Sequence, residues 1–438
     1  MAKKDFWNVF ADRPKPQSPR KRGSPTQVMV RNLILILILI VRLATAVFCA
    51  AALASSPALF GASFGDWFET PSANDDASDG VLVTGGAPPV LMFACDGSIS
   101  DLESLFSQAG VISDLQTLHA GIALAVPDLT PERAQLVRRL NDAGIPVAAW
   151  LALPGEQGYY LNAGNEPQAA AHFAEFESWT AINGLRWTEV GLDIEPNIQE
   201  FAALRQGSKW RLIVTLARRY FDVGRVERAK VAYSGLIRQI QSRGYAVQTY
   251  QFPFIADERA AHTTVLERVA GILDLKSDQE VLMTYTSFNP ALDSALIWVY
   301  GRDAQGIVVG STAGSASDAH FVPLNWDEFS RDLKVANYFS SSHATGSRII
   351  GVYNLEGCVR QGFLPRLRTL NWSEPVTIPG KAVRGAERFR ARVQTALWIA
   401  AHLLYFLAMF LIVVTWIVVL WRKRRRAQRP APLAIASR

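Results

Sequence analysis

Residues 187–196 read Trp-Thr-Glu-Val-Gly-Leu-Asp-Ile-Glu-Pro, and this stretch decides the fold. Side chains on a strand alternate between two faces, so the Val, Leu and Ile side chains share one face while Asp193 and Glu195 share the other. Pro196 has no backbone N–H to donate and therefore ends the strand directly after the second carboxylate. Because buried carboxylates without partners are costly, the pair predicts either a solvated strand end or a functional rim.

Seven further apolar segments alternate with helical patterns around this strand. Eight strands and their helices over about 280 residues predict an α/β fold, a (β/α)8 barrel of TIM type, with a doubly wound open sheet as the alternative. In a barrel, the C-terminal tips of the strands form the active-site rim. The predicted strands are Val90–Ala94, Gly121–Val126, Pro146–Ala152, the 187–196 stretch, Ala246–Phe252, Val281–Thr286, Ile307–Ser311 and Arg348–Leu355.

Two apolar segments flank the predicted barrel and indicate transmembrane helices. Ala396–Trp421 has 26 residues and no charged side chain, and a span needs roughly 20 apolar residues. Residues 33–62 contain Arg42 as their one charged residue. They predict an uncleaved signal anchor, with a signal peptide cleaved near residues 52–54 as the alternative.

The charge distribution predicts the orientation of the chain. The first 42 residues hold nine Lys and Arg against two Asp, and residues 422–438 hold seven Lys and Arg without an acid. By the positive-inside rule, both termini are expected in the cytoplasm, and the barrel is expected on the outer side of the inner membrane. Because the excess of basic residues flanks the membrane, no nucleic-acid partner is expected. The predicted order is a basic tail 1–32, an anchor 33–62, a linker 63–89, the barrel 90–371, a juxtamembrane linker 372–395, a transmembrane helix 396–421 and a basic tail 422–438.

Polar and aromatic residues recur at or near the ends of the predicted strands. Aromatic faces stack on sugars, amides bind hydroxyls and a pair of acids cleaves a glycosidic bond, so their joint placement predicts a carbohydrate cleft. Asp193 and Glu195 are the expected catalytic acids. The expected substrate-binding residues are Asp96, Trp150, Gln248, Tyr250, Tyr285, Tyr353, Asn354 and Glu356.

Two short motifs in the predicted barrel resemble known glycosidases. Asp193-Ile194-Glu195 on the fourth strand and Met283-Thr284-Tyr285 on the sixth are similar to the chitinase-like glycoside hydrolase family 18. That resemblance implies Glu195 as general acid, Asp193 as the group that orients an acetamido substituent, and Tyr285 as its hydrogen-bond partner. The lysozyme-like glycoside hydrolase family 25 is a more distant resemblance, with Asp96 as the acidic residue that ends the first strand.

This chain departs from the family 18 pattern at several positions. Thr188 and Gly191 stand where further aspartates are expected on the fourth strand, and Thr286 stands where an aspartate follows the sixth. No Trp marks the eighth strand. The resemblance therefore implies a glycosidase barrel without specifying the sugar.

Other motifs in the chain indicate no second chemistry. Asn165-Glu166-Pro167 is interpreted as the start of a helix, with Asn165 as its cap. The six His residues show no metal-ligand spacing, and no P-loop or dinucleotide fingerprint is present, so neither a metal nor a cofactor is expected.

The chain has three cysteines. Cys49 lies in the first apolar segment. Cys95 ends the first predicted barrel strand and Cys358 follows the eighth, which are neighbours in a closed barrel. An extracytoplasmic location permits a disulfide, so the sequence leaves open either that disulfide or two free thiols.

The expected function is hydrolysis of a cell-envelope or secreted polysaccharide by a membrane-anchored barrel. Glu195 would protonate the leaving oxygen, and the adjacent Asp193 is expected to raise the pKa of Glu195 because two close carboxyls resist double ionisation. A glycan-binding barrel without turnover and an envelope-assembly scaffold are the alternatives. The expected partners are a glycan and the lipid bilayer.

Overall fold

Eight parallel strands form a closed barrel in the computed structural model, which describes residues 80–197, 209–288, 292–312, 323–342 and 349–427. The (β/α)8 prediction is confirmed, and the open-sheet alternative is excluded because the first and last barrel strands pair. The strands in chain order are β1 Val81–Val83, β2 Val90–Cys95, β3 Gly121–Ala125, β4 Val147–Leu151, β5 Glu189–Ile194, β6 Ala246–Gln251, β7 Gln279–Met283, β8 Gly306–Gly310, β9 Ile349–Tyr353 and β10 Val376–Ile378.

The barrel runs from β2 to β9, and every neighbouring pair is parallel. Strands β3, β4, β5 and β8 are buried along their whole length, as expected where helices cover the outside of a parallel barrel. Leu192 on β5 pairs with Leu151 on β4. The next residue, Asp193, pairs with Tyr250 on β6. The C-terminal end of β5 therefore lies between β4 and β6 at the rim.

Helices surround the barrel, and several begin at the sequence signals expected of them. Ser98 accepts a hydrogen bond from the backbone N–H of Asp101, and Thr130 accepts one from that of Arg133, directly before Pro131. The helices are α1 Ile99–Ser107, α2 Val111–Thr117, α3 Pro131–Asp142, α4 Glu166–Asn183, α5 Lys209–Phe221, α6 Val223–Ser242, α7 Phe254–Ala260, α8 Val265–Ala270, α9 Ala295–Tyr300, α10 Trp326–Ser342, α11 Leu355–Arg360, α12 Phe363–Leu367, α13 Gly380–Ala401 and α14 Leu403–Ala427.

The segment predicted as a juxtamembrane linker, 372–395, is ordered structure that packs on the barrel. Its first part is β10, which pairs antiparallel with β1. Its second part is most of α13, which packs against α7, α8 and α9. The predicted linker 63–89 likewise contains β1, and residues before 80 lie outside the described part of the chain. The barrel therefore has structured extensions on both sides where the sequence predicted linkers.

The predicted second span, 396–421, is divided between two helices. Leu397 and Ala400 are buried in the last turn of α13, and His402 separates that helix from α14. Among the described residues, one helix is long and apolar enough to cross a membrane by length and composition, over Leu403–Leu420. The predicted first span, 33–62, lies outside the described residues.

Candidate active site

Asp193 lies in the barrel interior at the C-terminal end of β5. Its side chain is 4% exposed, and its Oδ1 atom has no hydrogen-bond partner among the described residues. Its backbone carbonyl accepts a hydrogen bond of 2.9 Å from Leu161, in the loop that follows β4. This loop extends the sheet beside Asp193, because Leu161 also forms a parallel bridge with Ile194. The backbone around Asp193 is thus fixed while one carboxyl oxygen faces the cavity without a partner.

Glu195 follows two residues later and is half-buried at the rim. Its backbone N–H donates to the carbonyl of Leu161 at 3.0 Å, which holds it on the same loop that supports Asp193. The charge of Glu195 raises the pKa values of both Asp193 and Tyr160, so its carboxyl group is close to both. The structure therefore brings the two acids together, as the alternation of the strand predicted.

Burial controls the protonation of both acids. The pKa of Glu195 rises to about 8 because the group is removed from water. The pKa of Asp193 is raised well above its ordinary value, first by burial and then by the charges of Glu195 and Asp96. The sequence predicts that Asp193 supplies part of the raised pKa of Glu195. Burial is the first cause at both acids, and the contribution of Asp193 at Glu195 stays a prediction.

Three aromatic and acidic residues from the first, sixth and eighth barrel strands form the opposite side of the site. The rings of Tyr285 and Tyr353 are stacked, with centroids 5.4 Å apart. The Tyr353 hydroxyl donates to Oδ2 of Asp96 at 3.2 Å. The charge of Asp96 also contributes to the raised pKa of Asp193. Asp96, Tyr285 and Tyr353 therefore belong to the same site as the acid pair, across the barrel mouth.

Trp150 and a loop tyrosine complete the lining of the cleft near β4. The Trp150 ring lines the cavity and contacts the edge of Tyr159, with centroids 6.3 Å apart. Trp150 Nε1 and the Tyr159 hydroxyl are buried and have no hydrogen-bond partner among the described residues. Tyr159 has φ 63°, a left-handed conformation that is uncommon for a tyrosine and typical of functional loops. Two donors are thus held beside Asp193 with no protein acceptor.

Tyr250 and Gln248 occupy the interior of the barrel instead of its rim. The Tyr250 hydroxyl donates to Gln248 at 2.7 Å, and Gln248 Nε2 donates to Gln279, the first residue of β7, at 2.9 Å. The first residue of a parallel strand lies at the end opposite the rim. The Tyr250 ring fills the space above Gly191, where an added Cβ atom would come within 2.6 Å of it. The rim position predicted for Gln248 is therefore wrong, and the hydroxyl of Tyr250 points away from the rim.

Asn354 and Glu356 lie at the start of α11. Asn354 is fully buried, and its Oδ1 atom accepts a hydrogen bond of 3.1 Å from the backbone N–H of Gly357. This helix-capping contact directs the side chain away from the cleft, in contrast to the predicted substrate contact. Glu356 is nearly buried beside Gly97, where an added Cβ would lie 3.3 Å from its Oε1. Burial raises the pKa of Tyr159, and the charges of Asp96, Asp193 and Glu356 raise it further. Glu356 therefore lies at the edge of the group of acids around Asp193.

Cys95 and Cys358 are both buried free thiols. They are near each other, because the pKa of Cys95 is raised by burial and, among smaller causes, by Cys358. Cys358 contacts the Thr312 hydroxyl at 3.7 Å. Of the two alternatives left open by the sequence, the structure has the free thiols, and Cys49 lies outside the described residues.

A narrow cavity of about 40 Å³ extends from Asp193 into the barrel. Its walls contain small residues from β2, β3, β8 and β9, namely Ala94, Ala123, Gly306 and Gly351. TIM-barrel interiors are ordinarily filled by bulky side chains, so this barrel leaves interior space below the acid pair.

Two polar residues in or near this interior were absent from the predicted site. Tyr159 stands in a loop, and no strand pattern marks it. Glu189 begins β5, and burial raises its pKa to about 7. The alternation of β5 puts Glu189 on the same face as Asp193, which is the one sequence signal that could have found it.

The look-alike motif at residues 165–167 begins α4, as predicted. Asn165 precedes the helix but makes no side-chain capping bond. Its Oδ1 atom instead accepts from the backbone N–H of Asn162 at 2.8 Å and from the Tyr233 hydroxyl at 2.9 Å. Asn165 therefore occupies the predicted N-cap position of α4, and its side chain holds the rim loop after β4 against α6.

Comparisons with known proteins give matches of low similarity among solved structures. The glycoside hydrolase domain of PgaB (BpsB) from Bordetella bronchiseptica is 12% identical with a TM-score of 0.35, over 65% of this chain and 99% of that domain. The 3-keto-D-glucoside 4-epimerase YcjR from E. coli is 12% identical with a TM-score of 0.36, over 64% of this chain and 98% of that chain. No family model and no curated protein matches this chain. At these scores, neither structure identifies an activity for it.

Proposed function

We propose that this protein is a membrane-anchored glycoside hydrolase whose catalytic acids are Glu195 and Asp193. The observation that carries the proposal is the raised pKa of Glu195, about 8, on a half-buried carboxyl group at the rim of the barrel. A general acid must hold its proton at the working pH. Glu195 meets this requirement near neutrality and still lies where a substrate can reach it.

In the proposed reaction, Glu195 donates its proton to the glycosidic oxygen as the bond from that oxygen to the sugar carbon breaks. Water then adds its oxygen to that sugar carbon and returns a proton to the Glu195 carboxylate. The carboxyl oxygen of Asp193 without a protein partner faces the same space and is placed to accept a hydrogen bond from the sugar. In the family 18 interpretation, that hydrogen bond comes from an acetamido group and Tyr285 assists it. The negative charge of Asp96 would stabilise positive charge that develops on the sugar.

The substrate is proposed to be a polysaccharide of the cell envelope or a secreted one. Stacked Tyr285 and Tyr353 offer an aromatic face to a sugar ring. Trp150 Nε1 and the Tyr159 hydroxyl offer buried donors that have no partner among the described residues. Aromatic faces combined with unsatisfied polar atoms suit a ligand that has both apolar ring faces and hydroxyl groups.

The test of this function is release of reducing ends from glycans by the full-length protein in detergent. Acetamido-containing and neutral polysaccharides form the two arms of the screen. Cleavage in either arm supports the hydrolase. Retention of a glycan without cleavage would favour a binding barrel, and absence of both would favour an assembly scaffold.

The proposed location is the cell's inner membrane, with both termini cytoplasmic and the barrel outside. Its support is the basic tails of the sequence and the apolar helix α14. Protease added to intact cells should cleave the middle of the chain and leave tags at both termini intact. A protected barrel would contradict this orientation.

A further inference from the structure

Two exposed apolar side chains mark the turn between α5 and α6. Phe221 ends α5 with 60% of its surface exposed, and Val223 begins α6 with 48% exposed. These two side chains lie two positions apart at one turn and form a shared exposed apolar tip, which suits an interaction surface. We call residues 218–228 the α5–α6 corner.

The corner is attached to the end of α13, where the apolar helix begins. The hydroxyl of Tyr220 donates to the carbonyl of Ala400 at 2.6 Å. The apolar window of α14 begins at Leu403, three residues later. The ring of Phe221 packs edge-on against the ring of Tyr220, with centroids 4.9 Å apart, so Phe221 lies near the level at which α14 starts.

Aromatic residues accumulate at this same level. Trp398 in the last turn of α13 and Tyr405 in the first turn of α14 are both exposed. Trp and Tyr are enriched at the membrane–water interface, where an aromatic ring meets both headgroups and acyl chains. If α14 spans the bilayer, this level is the interface and the corner lies in it.

Basic residues surround the apolar tip of the corner. Arg218 and Arg228 are exposed. Arg268 stacks on the Tyr220 ring with its guanidinium carbon 4.8 Å from the centroid, and it also donates to the Tyr220 carbonyl. Residues 218–228 hold four Arg against the two exposed acids Asp222 and Glu227, so the corner carries a net positive charge. A basic corner with an apolar tip matches a surface of anionic phospholipid, whose headgroups attract the cations while the boundary region accepts the apolar side chains.

The corner also lies on the side of the barrel where the cleft opens. Helix α6 ends at Ser242, four residues before β6 begins, so its first residue, Val223, lies toward the C-terminal ends of the strands. Tyr233, midway along α6, bonds to the carbonyl of Asn162 in the rim loop at 3.1 Å. The ten residues before Tyr233 extend about 15 Å further in the same direction.

We propose that the α5–α6 corner is a second membrane contact, which inserts Phe221 and Val223 into the headgroup region of an anionic bilayer beside α14. The corner and α13 then hold the barrel at two points, with the open side of the cleft toward the lipid surface. This arrangement favours glycans that lie at the membrane surface. The proposal rests on the membrane anchoring proposed above and not on the hydrolase activity.

The test uses the full-length chain with Cys49 replaced by Ala and a nitroxide label attached at Val223→Cys. Matched labels at Val231→Cys, two turns along the same helix, and at Ile182→Cys, on α4, serve as aqueous controls, because Val231 and Ile182 are 71% and 84% exposed. The protein is reconstituted in phosphatidylcholine vesicles with and without phosphatidylglycerol. Electron paramagnetic resonance then measures collisions of each label with oxygen and with a water-soluble nickel chelate.

We expect a severalfold higher oxygen-to-nickel collision ratio at position 223 than at either control position, and a higher ratio with phosphatidylglycerol than without. A label at Phe221→Cys should behave as the one at 223, which guards against a local defect from one substitution. The double variant Arg218→Glu, Arg228→Glu should remove the phosphatidylglycerol effect.

An aqueous label at both 221 and 223, in protein that floats with the vesicles, would overturn the corner contact and leave the anchoring by α14 intact. Protein that fails to float with vesicles would overturn both. An immobilised label that is shielded from oxygen and nickel alike would indicate a protein occupant and also overturn the lipid contact. Glycan cleavage in the detergent assay is independent of each of these outcomes.

Discussion

Asp193 and Asp257 are both buried aspartates next to barrel strands, and they differ in how their oxygen atoms are satisfied. Asp257 accepts hydrogen bonds from the Tyr300 hydroxyl at 2.5 Å, from Arg390 Nε at 2.8 Å and from Gln394 Nε2 at 2.9 Å. Asp193 keeps one oxygen without a partner among the described residues.

The difference shows which of the two buried acids serves the fold. Three donors from α9 and α13 surround Asp257, so this acid attaches α13 to the barrel. An unsatisfied buried polar atom costs about 1–3 kcal/mol. Such a cost at Asp193 is offset where a ligand supplies the missing hydrogen bond, as expected of a site built for a substrate.

The largest effect is expected for Glu195→Gln. The variant cannot donate a proton to the leaving oxygen, and a general acid typically contributes ~10²–10⁴-fold. We therefore expect a loss of glycan cleavage by that order, measured as reducing ends released, with unchanged thermal unfolding. Glu166→Gln, in the first turn of α4, is the control and should retain full activity. Activity that depends on Glu166 and not on Glu195 would show that the active site has been assigned to the wrong element.

A contrasting test is Asp257→Ala, which removes one of the two carboxylates that pair with Arg390 and leaves the other, Asp303, in place. Losing a hydrogen bond to a charged group costs about 1.5–3 kcal/mol. We expect a lower free energy of unfolding by that amount, measured by denaturant titration, while turnover per folded molecule stays unchanged. A stability equal to that of the wild type would show that α13 does not depend on this contact.

Asp193→Asn should have the opposite effect. Burial raises the pKa of the Asp193 carboxyl and so disfavours its charged form, and a neutral amide of the same shape should not destabilise the barrel. Turnover should fall because the amide cannot take the place of the carboxyl against the substrate. Unfolding and reducing-end assays on the same preparation test both statements. A variant that is unstable but active would remove the contrast with Asp257.

The smallest effect concerns pH. Since the pKa of Glu195 is raised to about 8, the protonated acid predominates below that pH, and kcat/KM should decline as pH rises through about 8. A profile of kcat/KM against pH tests this, and activity that stays constant as the pH rises through about 8 would contradict the role of Glu195 as the protonated acid.

The sequence predicted the barrel and the acid pair because both depend on local patterns. Alternation along 187–196 determines which side chains share a face, and apolar segments mark the strands. Asp257 and Arg390 could not be paired in this way, since 133 residues separate them and Arg390 lies in a segment predicted as a linker. Alternation shows which face of a strand a residue lies on, and it does not show how high in the barrel the residue lies. The register of β6 with β7, which pairs Gln248 with Gln279, determines that height.

The central claim is that Glu195 cleaves a glycan that the surrounding side chains bind. Its most direct test measures glycan binding and glycan cleavage together, on wild type and on Glu195→Gln, with a polysaccharide identified by the screen. The account predicts that both proteins bind the glycan with similar affinity and that the wild type alone cleaves it at an appreciable rate. Equal cleavage by both proteins would contradict the claim, as would binding without cleavage by either.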